Sequence, residues 1–485
     1  MASIIEIKGN KCHILNESDF LFLEGLDLEL SFKIQGAEYS KAYRSGRWNG
    51  RKRLMTNNLY FSLGLLPRVL DFYKSENKEV EVIDLNKYQE LNPKDIFPRL
   101  KEINKTPRYY QIDAAAEAIK QKRGIIRACT GSGKTLTAAL IIAQIGRKAI
   151  FYVIGKDLLW QTHKLFENIF QIPIGMIGDG ICNIQDITVA SIWSVCRAFG
   201  GGKAAITVND DEGIGKEKAL KEEWNEAIKL MVHSSSCNIL DECHIAASDT
   251  MQLIGNEMCG EYSIGLSASP IRDDGQNLLT ESIFGRIIVN TSASELIEKK
   301  YLVKPVIKFI SVPKPKVFFS NYREIYKSYI VNNPERNELI IRAGISLVEQ
   351  DFITMILYKE IAHGKLLYNE FVSKNMYCHI LSGNDSTDVR KKVIEEILTG
   401  KCKLVLASSI FDIGIDLPNL SGLVLAGGGK SSIRAIQRIG RVIRSSPGKE
   451  MAAIIDFKDS VKYLREHSQI RRRIYESEPG FEIEF

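Results

Sequence analysis

No stretch of this chain approaches the roughly 20 consecutive apolar residues that a membrane-spanning helix needs. The opening MASIIEIKGNKCHIL carries Glu6, Lys8 and Lys11 where a secretory leader would need an uninterrupted apolar run. Cysteine is sparse and scattered: nine residues with no CxxC pair and no Cys/His cluster at zinc spacing, which excludes a disulfide framework and a zinc module. These thiols read as buried free cysteines of a reducing compartment. Net charge is also small. Lys plus Arg is 65 against 59 for Asp plus Glu, a balance of +6 over 485 residues, which rules out a histone-like polycation. With 45% hydrophobic and 26% charged residues, the chain is not extensively disordered. There is no internal repeat and no long low-complexity tract. A soluble, cytoplasmic protein of about three domains is expected.

The first hundred residues mix short alternating runs, a basic stretch and an apolar segment, and Asn92-Pro93 and Pro98 suggest a linker at their end. From about residue 107 short β-branched runs alternate with helical patterns, the sign of parallel α/β architecture. Strands are expected at 124–128, 148–154, 186–190, 238–241 and 263–267. A second series is expected at 352–357, 377–381, 404–407, 423–426 and 452–456. A helix between two of these has Ser386 or Thr387 as its cap, an apolar stripe of Val389, Val393, Ile394 and Ile397, and Gly400 as its stop. Pro305, Pro313 and Pro315 suit a hinge or crossing segment between the series, and 197–215 reads as an inserted surface loop.

The strongest local signal is Ala128-Cys-Thr130-Gly131-Ser132-Gly133-Lys134-Thr135, which follows an apolar strand and opens a helix. Gly131 and Gly133 let backbone N–H groups wrap around phosphate, and the helix N-terminus adds positive potential. Lys134 would reach the β- and γ-phosphates, and the Thr135 hydroxyl would bind Mg²⁺. A phosphate loop needs a carboxylate on a neighbouring strand, and Asn238-Ile-Leu-Asp241-Glu242-Cys-His244 supplies a pair. Asp241 is placed to hold Mg²⁺, and Glu242 to orient and deprotonate the attacking water.

Asp-Glu-Cys-His resembles the DExH signature of superfamily 2 helicases, and Ala-x-x-Gly-x-Gly-Lys-Thr resembles the form their phosphate loop takes. Tyr110-Gln111 looks like the adenine-reading Q motif, with Arg108 or Tyr109 available to stack. Leu266-Ser-Ala-Ser-Pro270 resembles motif III, and 408–416, ending in Gly414-Ile-Asp416, looks like motif V. Gln437-Arg-Ile-Gly-Arg441-Val-Ile-Arg444 resembles motif VI, which implies that Gln437, Arg441 and Arg444 act in catalysis, the two arginines as fingers on the γ-phosphate. Val153-Ile-Gly-Lys156 lacks the proline usual in motif Ia.

The resemblance implies an α/β fold of two RecA-like parallel-sheet lobes, with ATP and Mg²⁺ as cofactors. It divides the chain into a small α+β N-terminal domain (1–100), an ATP-binding lobe (101–303) and a C-terminal lobe (304–485). Lys156, Ser191, Trp193 and Ser382-Gly383 are candidates for a nucleic-acid track. Lys41 to Arg53 reads KAYRSGRWNGRKR, six basic residues without an acid, interleaved with Tyr43 and Trp48. This segment, Leu65-Leu-Pro67, Gly265-Leu-Ser-Ala-Ser and His363-Gly-Lys365 are similar to the phage UvsW-type helicases. That resemblance implies ATP-dependent remodelling of branched DNA (branch migration and fork regression) in recombination, repair and replication, with Arg44, Arg47, Trp48, Arg51 and Arg53 as DNA contacts. For a phage-encoded enzyme the site of action is the host cytoplasm or nucleoid. A duplex translocase that separates no strands shares the motor motifs. A non-motor ATP-switched DNA-binding protein is the competitor from another class.

Overall fold

The computed structural model describes residues 3–201, 222–268, 276–314, 321–383, 385–408, 417, 419–429, 438–478 and 480–484. Two compact bodies result. One comprises 1–128 and 133–290, the other 129–132 and 291–485, in each case over the residues described.

The first body contains two sheets. A four-stranded sheet near the N-terminus is built from Ser3–Lys8, Lys11–Leu15, Tyr60–Ser62 and Val80–Asp84. Ile5, Ile7, Cys12 and Ile14 point to one face and meet Phe22 and Leu26 of the helix Phe20–Glu29 and Val69 and Tyr73 of the helix Leu66–Ser75. Leu278 joins the same core. Gly64 explains how close the approach is: a Cβ there would lie 2.2 Å from the carbonyl oxygen of Glu281. Arg68 adds a bidentate pair to Glu281 at 2.8 and 3.1 Å. The small sheet is thereby fastened to the larger one's supporting helix.

The larger sheet runs in the order Ile181–Asn183, Gly175–Gly178, Ile187–Ser191, Ala149–Val153, Cys237–Asp241, Tyr262–Ser267, Arg123–Ala128, Ile287–Thr291. The central five strands pair in parallel. Four of them are buried along their whole length, and Arg123–Ala128 is buried apart from its two arginines, hence their largely apolar character. All five expected strands of this series are present within two residues at either end. The hairpin 175–183 and the edge strand 287–291 went unforeseen, because Gly175 and Gly178 and the exposed Ile287 break the apolar pattern. The segment expected as a linker is docked: Asn92 and Lys94 donate their N–H to the carbonyls of Ile145 and Ala143. Those carbonyls belong to the last turn of the helix Lys134–Ile145 and have no partner within it.

The second body carries a seven-stranded sheet in the order His379–Leu381, Leu404–Ala407, Thr354–Leu357, Gly422–Val424, Met451–Lys458, Lys304–Ser311, Glu482–Glu484. Every pair is parallel. Here the expectation of a hinge around Pro305 is corrected. Residues 304–311 form a strand in register with 451–458. Pro305 is tolerated because it sits at the strand's start, before the pairing with 482–484 begins at Val306. The helix Thr387–Leu398 is capped by Ser386, whose side chain accepts from the N–H of Val389. Val393 and Ile397 are buried as expected, whereas Val389 is exposed on the first turn. Two buried ion pairs reinforce this body. Arg471 forks onto Asp456 at 2.7 and 2.8 Å, and Arg336 reaches Asp459 at 3.0 Å.

Candidate functional site: a phosphate loop facing an acidic strand end

The strands Arg123–Ala128, Tyr262–Ser267 and Cys237–Asp241 lie side by side, and their carboxyl ends bring three motifs together. Ligands of parallel α/β sheets bind at such ends. The first strand leads into the loop 129–133. Gly131 (φ +88°) and Gly133 (φ +82°) both hold left-handed conformations that side chains disfavour. The helix Lys134–Ile145 begins directly after Gly133, and no side chain caps its N-terminus. A helix N-terminus of this kind favours an anion. Ser132 is buried, and its N–H donates to the carbonyl of Cys129, which closes the turn. Thr130 is also buried, and Thr135 is half-buried on the first helical turn.

Gln111 lies against this loop. It is buried (3% exposed) in the first turn of the helix Tyr109–Gln121, where its carbonyl oxygen accepts the N–H of Arg108 at 2.9 Å. A Cβ on Gly133 would come within 2.4 Å of its amide nitrogen. Tyr110 is buried beside it and its hydroxyl accepts from Arg108 at 3.0 Å, while Tyr109 packs edge-on against Tyr110 and remains partly exposed.

On the acidic strand Asp241 is buried and accepts the N–H of Glu242 at 3.0 Å. Glu242 takes a left-handed conformation (φ +52°), which turns the chain sharply where the strand ends. Its carboxylate lies 3.6 Å from the ammonium of Lys134, 3.4 Å from Nδ1 of His244 and 3.4 Å from the hydroxyl of Ser267. Ser267 also approaches His244 at 3.5 Å. Burial, and next the neighbouring Glu242 charge, push the Asp241 carboxyl up to about 6, against the opposing pull of Lys134. A divalent cation would reverse that shift. A carboxylate and a hydroxyl are hard oxygen donors of the kind that Mg²⁺ takes.

The His244–Ser267 approach was not anticipated, although both residues stand in the motifs that the sequence displays. Gly265 permits the packing behind them: a Cβ there would meet Cys243 at 2.9 Å.

In the second body, residues 438–442 are helical, and Arg441 and Arg444 are half-buried. Leu302 bridges Arg444 and the Val303 N–H donates to the Ile443 carbonyl at 2.8 Å. Gln437, Gly414 and Asp416 lie outside the described residues, as does the motif III segment beyond Ala268.

The basic N-terminal segment is partly absorbed by the fold. Arg51 donates to the Ser31 hydroxyl and carbonyl and to the Leu28 carbonyl. Arg53 pairs with Asp27 at 3.1 Å, and Arg44 reaches the Glu38 carbonyl at 3.2 Å. The Trp48 indole N–H donates to the Arg51 carbonyl at 2.8 Å. Arg47 is exposed and its guanidinium meets no acceptor among the described residues. Of the track candidates, Ser191 is buried, Trp193 packs against an apolar cluster, Lys156 pairs with Asp179, and Ser382 is tied to Asp385. His363 is wholly buried in the second core. Among the described residues no helix is long and apolar enough to cross a membrane, and all nine cysteines are free, seven of them buried.

A glycine-rich phosphate loop and a paired-acid strand end in a parallel sheet, followed by a second parallel sheet, define a P-loop ATP hydrolase of two RecA-like lobes. Residues 104–272 match the family model described as the type III restriction enzyme res subunit, and 338–446 match the helicase conserved C-terminal domain. The ATP-dependent DNA helicase UvsW of Enterobacteria phage T4 is 27% identical over 456 residues, covering 89% of this chain and 85% of that protein. The DNA 3′-5′ translocase XPB2 of Sulfurisphaera tokodaii is 24% identical over 474 residues, covering 89% and 97%. Among solved structures, Saccharomyces cerevisiae Dbp5 bound to RNA and ADP BeF3 shares the fold at 16% identity and a TM-score of 0.52, covering 81% of this chain and 93% of that one. The chain belongs to the superfamily 2 DExH helicases and is similar to those of the phage UvsW type.

Proposed function

We propose that this helicase acts on DNA and remodels branched substrates by migrating junctions and regressing forks. The observation that carries the motor part is the convergence of Lys134, Glu242, His244 and Ser267 within 3.4 to 3.6 Å at the carboxyl ends of adjacent strands. In this reading Lys134 and the N–H groups at the start of its helix hold the β- and γ-phosphates, and Gln111 with Tyr110 orients the adenine. Thr135 and Asp241 would hold Mg²⁺, which neutralises charge on the phosphates when bound. Glu242 takes the proton from the attacking water. Ser267, touching both Glu242 and His244, feels any change at that carboxylate, so it links the nucleotide to the strand that carries motif III. Arg441 and Arg444 stabilise the charge that develops on the transferred phosphoryl group.

DNA as the substrate is supported by the likeness to UvsW over most of both chains. The exposed Arg47, beside the half-buried Trp48, supports a grip on DNA by residues 1–100, acting as a DNA-binding domain ahead of lobes 101–303 and 304–485. The likeness to XPB2 favours a second reading, a duplex translocase that separates no strands. Comparing ATPase stimulation and unwinding on single strand, duplex, four-way junction and RNA tests these readings. The proposal expects the greatest stimulation and strand exchange on the junction. Stimulation by duplex without unwinding would favour the translocase, and stimulation by RNA alone would overturn the choice of substrate.

A further inference from the structure

The segment 438–444, which carries Arg441 on a helical turn and Arg444 just after it, is fastened through its main chain from outside the motif. Before it, in the chain, the carbonyls of the loop 426–429 are held by side chains from three separate helices. Tyr326 donates its hydroxyl to Gly427 at 2.7 Å, Arg336 donates to Ala426 at 2.7 Å, and Arg471 donates to Gly429. After it, one side chain does comparable work. The ammonium of Lys449 donates to the carbonyls of Val442, Arg444 and Leu420. An ammonium has three N–H donors, and three carbonyls receive them. One of those carbonyls, Val442, ends the helical turn 438–442, where a helix favours a cation, and a second, Arg444, lies two residues beyond it. The third precedes the strand Gly422–Val424, so Lys449 ties the exit of the arginine segment to the sheet.

The turn 445–448 brings the lysine back to this place. Gly448 holds a left-handed conformation (φ +77°), and the N–H of Lys449 donates to the Ser446 carbonyl at 3.1 Å. The position is held against an electrostatic cost: burial, and then the Arg444 charge, bring the amine down to about 8. A second cation beside a functional arginine is a poor choice for stability alone. It is a good choice for fixing the backbone from which that arginine projects.

We propose that Lys449 is a positioning residue for Arg441 and Arg444, setting where their guanidinium groups stand without touching nucleotide itself. The inference rests on reading those arginines as the residues that stabilise the transferring phosphoryl group. A finger of that kind is worth about 10³–10⁵ in turnover, and a misplacement of about 1 Å costs on the order of 10²-fold. Replacing Lys449 by methionine keeps the stem and removes the donors.

Lys449→Met is expected to lower the DNA-stimulated kcat about 10- to 100-fold, with the KM for ATP within about twofold because the phosphate loop is untouched. Lys449→Arg, which keeps charge and donors, is expected to recover most of the loss. Arg444→Ala is measured alongside. If Arg444→Ala turns over normally, the reading of the arginine fails and the proposal falls with it. If Arg444→Ala is inactive while Lys449→Met keeps wild-type kcat, only the role of Lys449 is overturned. If Lys449→Met melts well below the wild type, the double variant decides: no further fall in kcat beyond Arg444→Ala supports positioning, and a further multiplicative fall overturns it.

Discussion

Replacing Gly133 by alanine perturbs the phosphate loop in a way that the structure makes quantitative. Gly133 stands at φ +82°, where an L-residue pays about 1–2 kcal/mol. Its added Cβ would lie 2.4 Å from the amide nitrogen of Gln111, so that side chain must move. Gln111 is buried and caps the helix Tyr109–Gln121, and displacing it adds about 1–3 kcal/mol. Gly180 is the matched control in the same body: φ is +78°, and nothing lies within 4 Å of its would-be Cβ. Gly180→Ala carries the conformational cost alone. The two variants should differ by about 2 kcal/mol, or about 4–8 °C in the thermal midpoint of that body. The contact has a sharper assay in a double variant. With Gln111→Ala in place the obstruction is gone, and Gly133→Ala should then cost no more than Gly180→Ala. ATP affinity should fall in Gly133→Ala and stay normal in Gly180→Ala. Equal melting of the two single variants, or the same cost of Gly133→Ala in both backgrounds, would refute the reasoning.

Lys134→Ala or Glu242→Gln should reduce turnover about 10²–10⁴-fold, equivalent to about 2.7–5.5 kcal/mol of barrier; near-normal steady-state hydrolysis in either would remove the site assignment. Arg47→Ala should weaken junction binding with basal ATPase unchanged and reduce the slope of log affinity against log salt by about 1. Arg51→Ala should instead destabilise the N-terminal sheet region by about 2 kcal/mol, since three hydrogen bonds to residues 28 and 31 are lost; denaturant titration of both variants separates the two roles. Burial, assisted by the Arg336 charge, holds His363 down to about 3, so the folded chain keeps it neutral where the unfolded chain takes a proton. The stability this supplies is complete above about pH 6.5 and is lost as pH falls toward 3, a contribution on the order of 5 kcal/mol. His363→Gln should flatten that part of the pH–stability profile, and an unchanged slope would exclude His363 as its source.

The phosphate loop and the acidic pair were legible because each is a short run whose chemistry is local: glycines where left-handed backbone is needed, a lysine and threonine opening a helix, two carboxylates closing an apolar strand. Parallel strands buried on both faces were legible for the same reason, as continuous β-branched runs. The strand 304–311 was not, because Pro305 speaks against a strand until its place at the start of the pairing is known. His363 stood within a stretch similar to the UvsW-type helicases, and its surroundings make it a buried histidine whose Nε2–H donates to the side-chain oxygen of Asn337 at 2.9 Å.

The basic segment 41–53 marks the boundary most clearly. Its composition alone pointed to a row of arginines facing DNA, because sequence gives charge and spacing but not what lies across the fold. Tertiary structure assigns Arg51 to the carbonyls of Leu28 and Ser31 and Arg53 to Asp27, and it leaves Arg47 exposed. Sequence by itself therefore determined the glycine-loop and acidic-pair motifs and the class of sheet, all written in contiguous residues. Only the tertiary structure decided which cations are spent inside the protein, that Gln111 rests on Gly133, that Ser267 touches Glu242 and His244, and that Lys449 holds the arginine turn. Each of those depends on chain segments brought together by burial, and no local pattern encodes the distance between them.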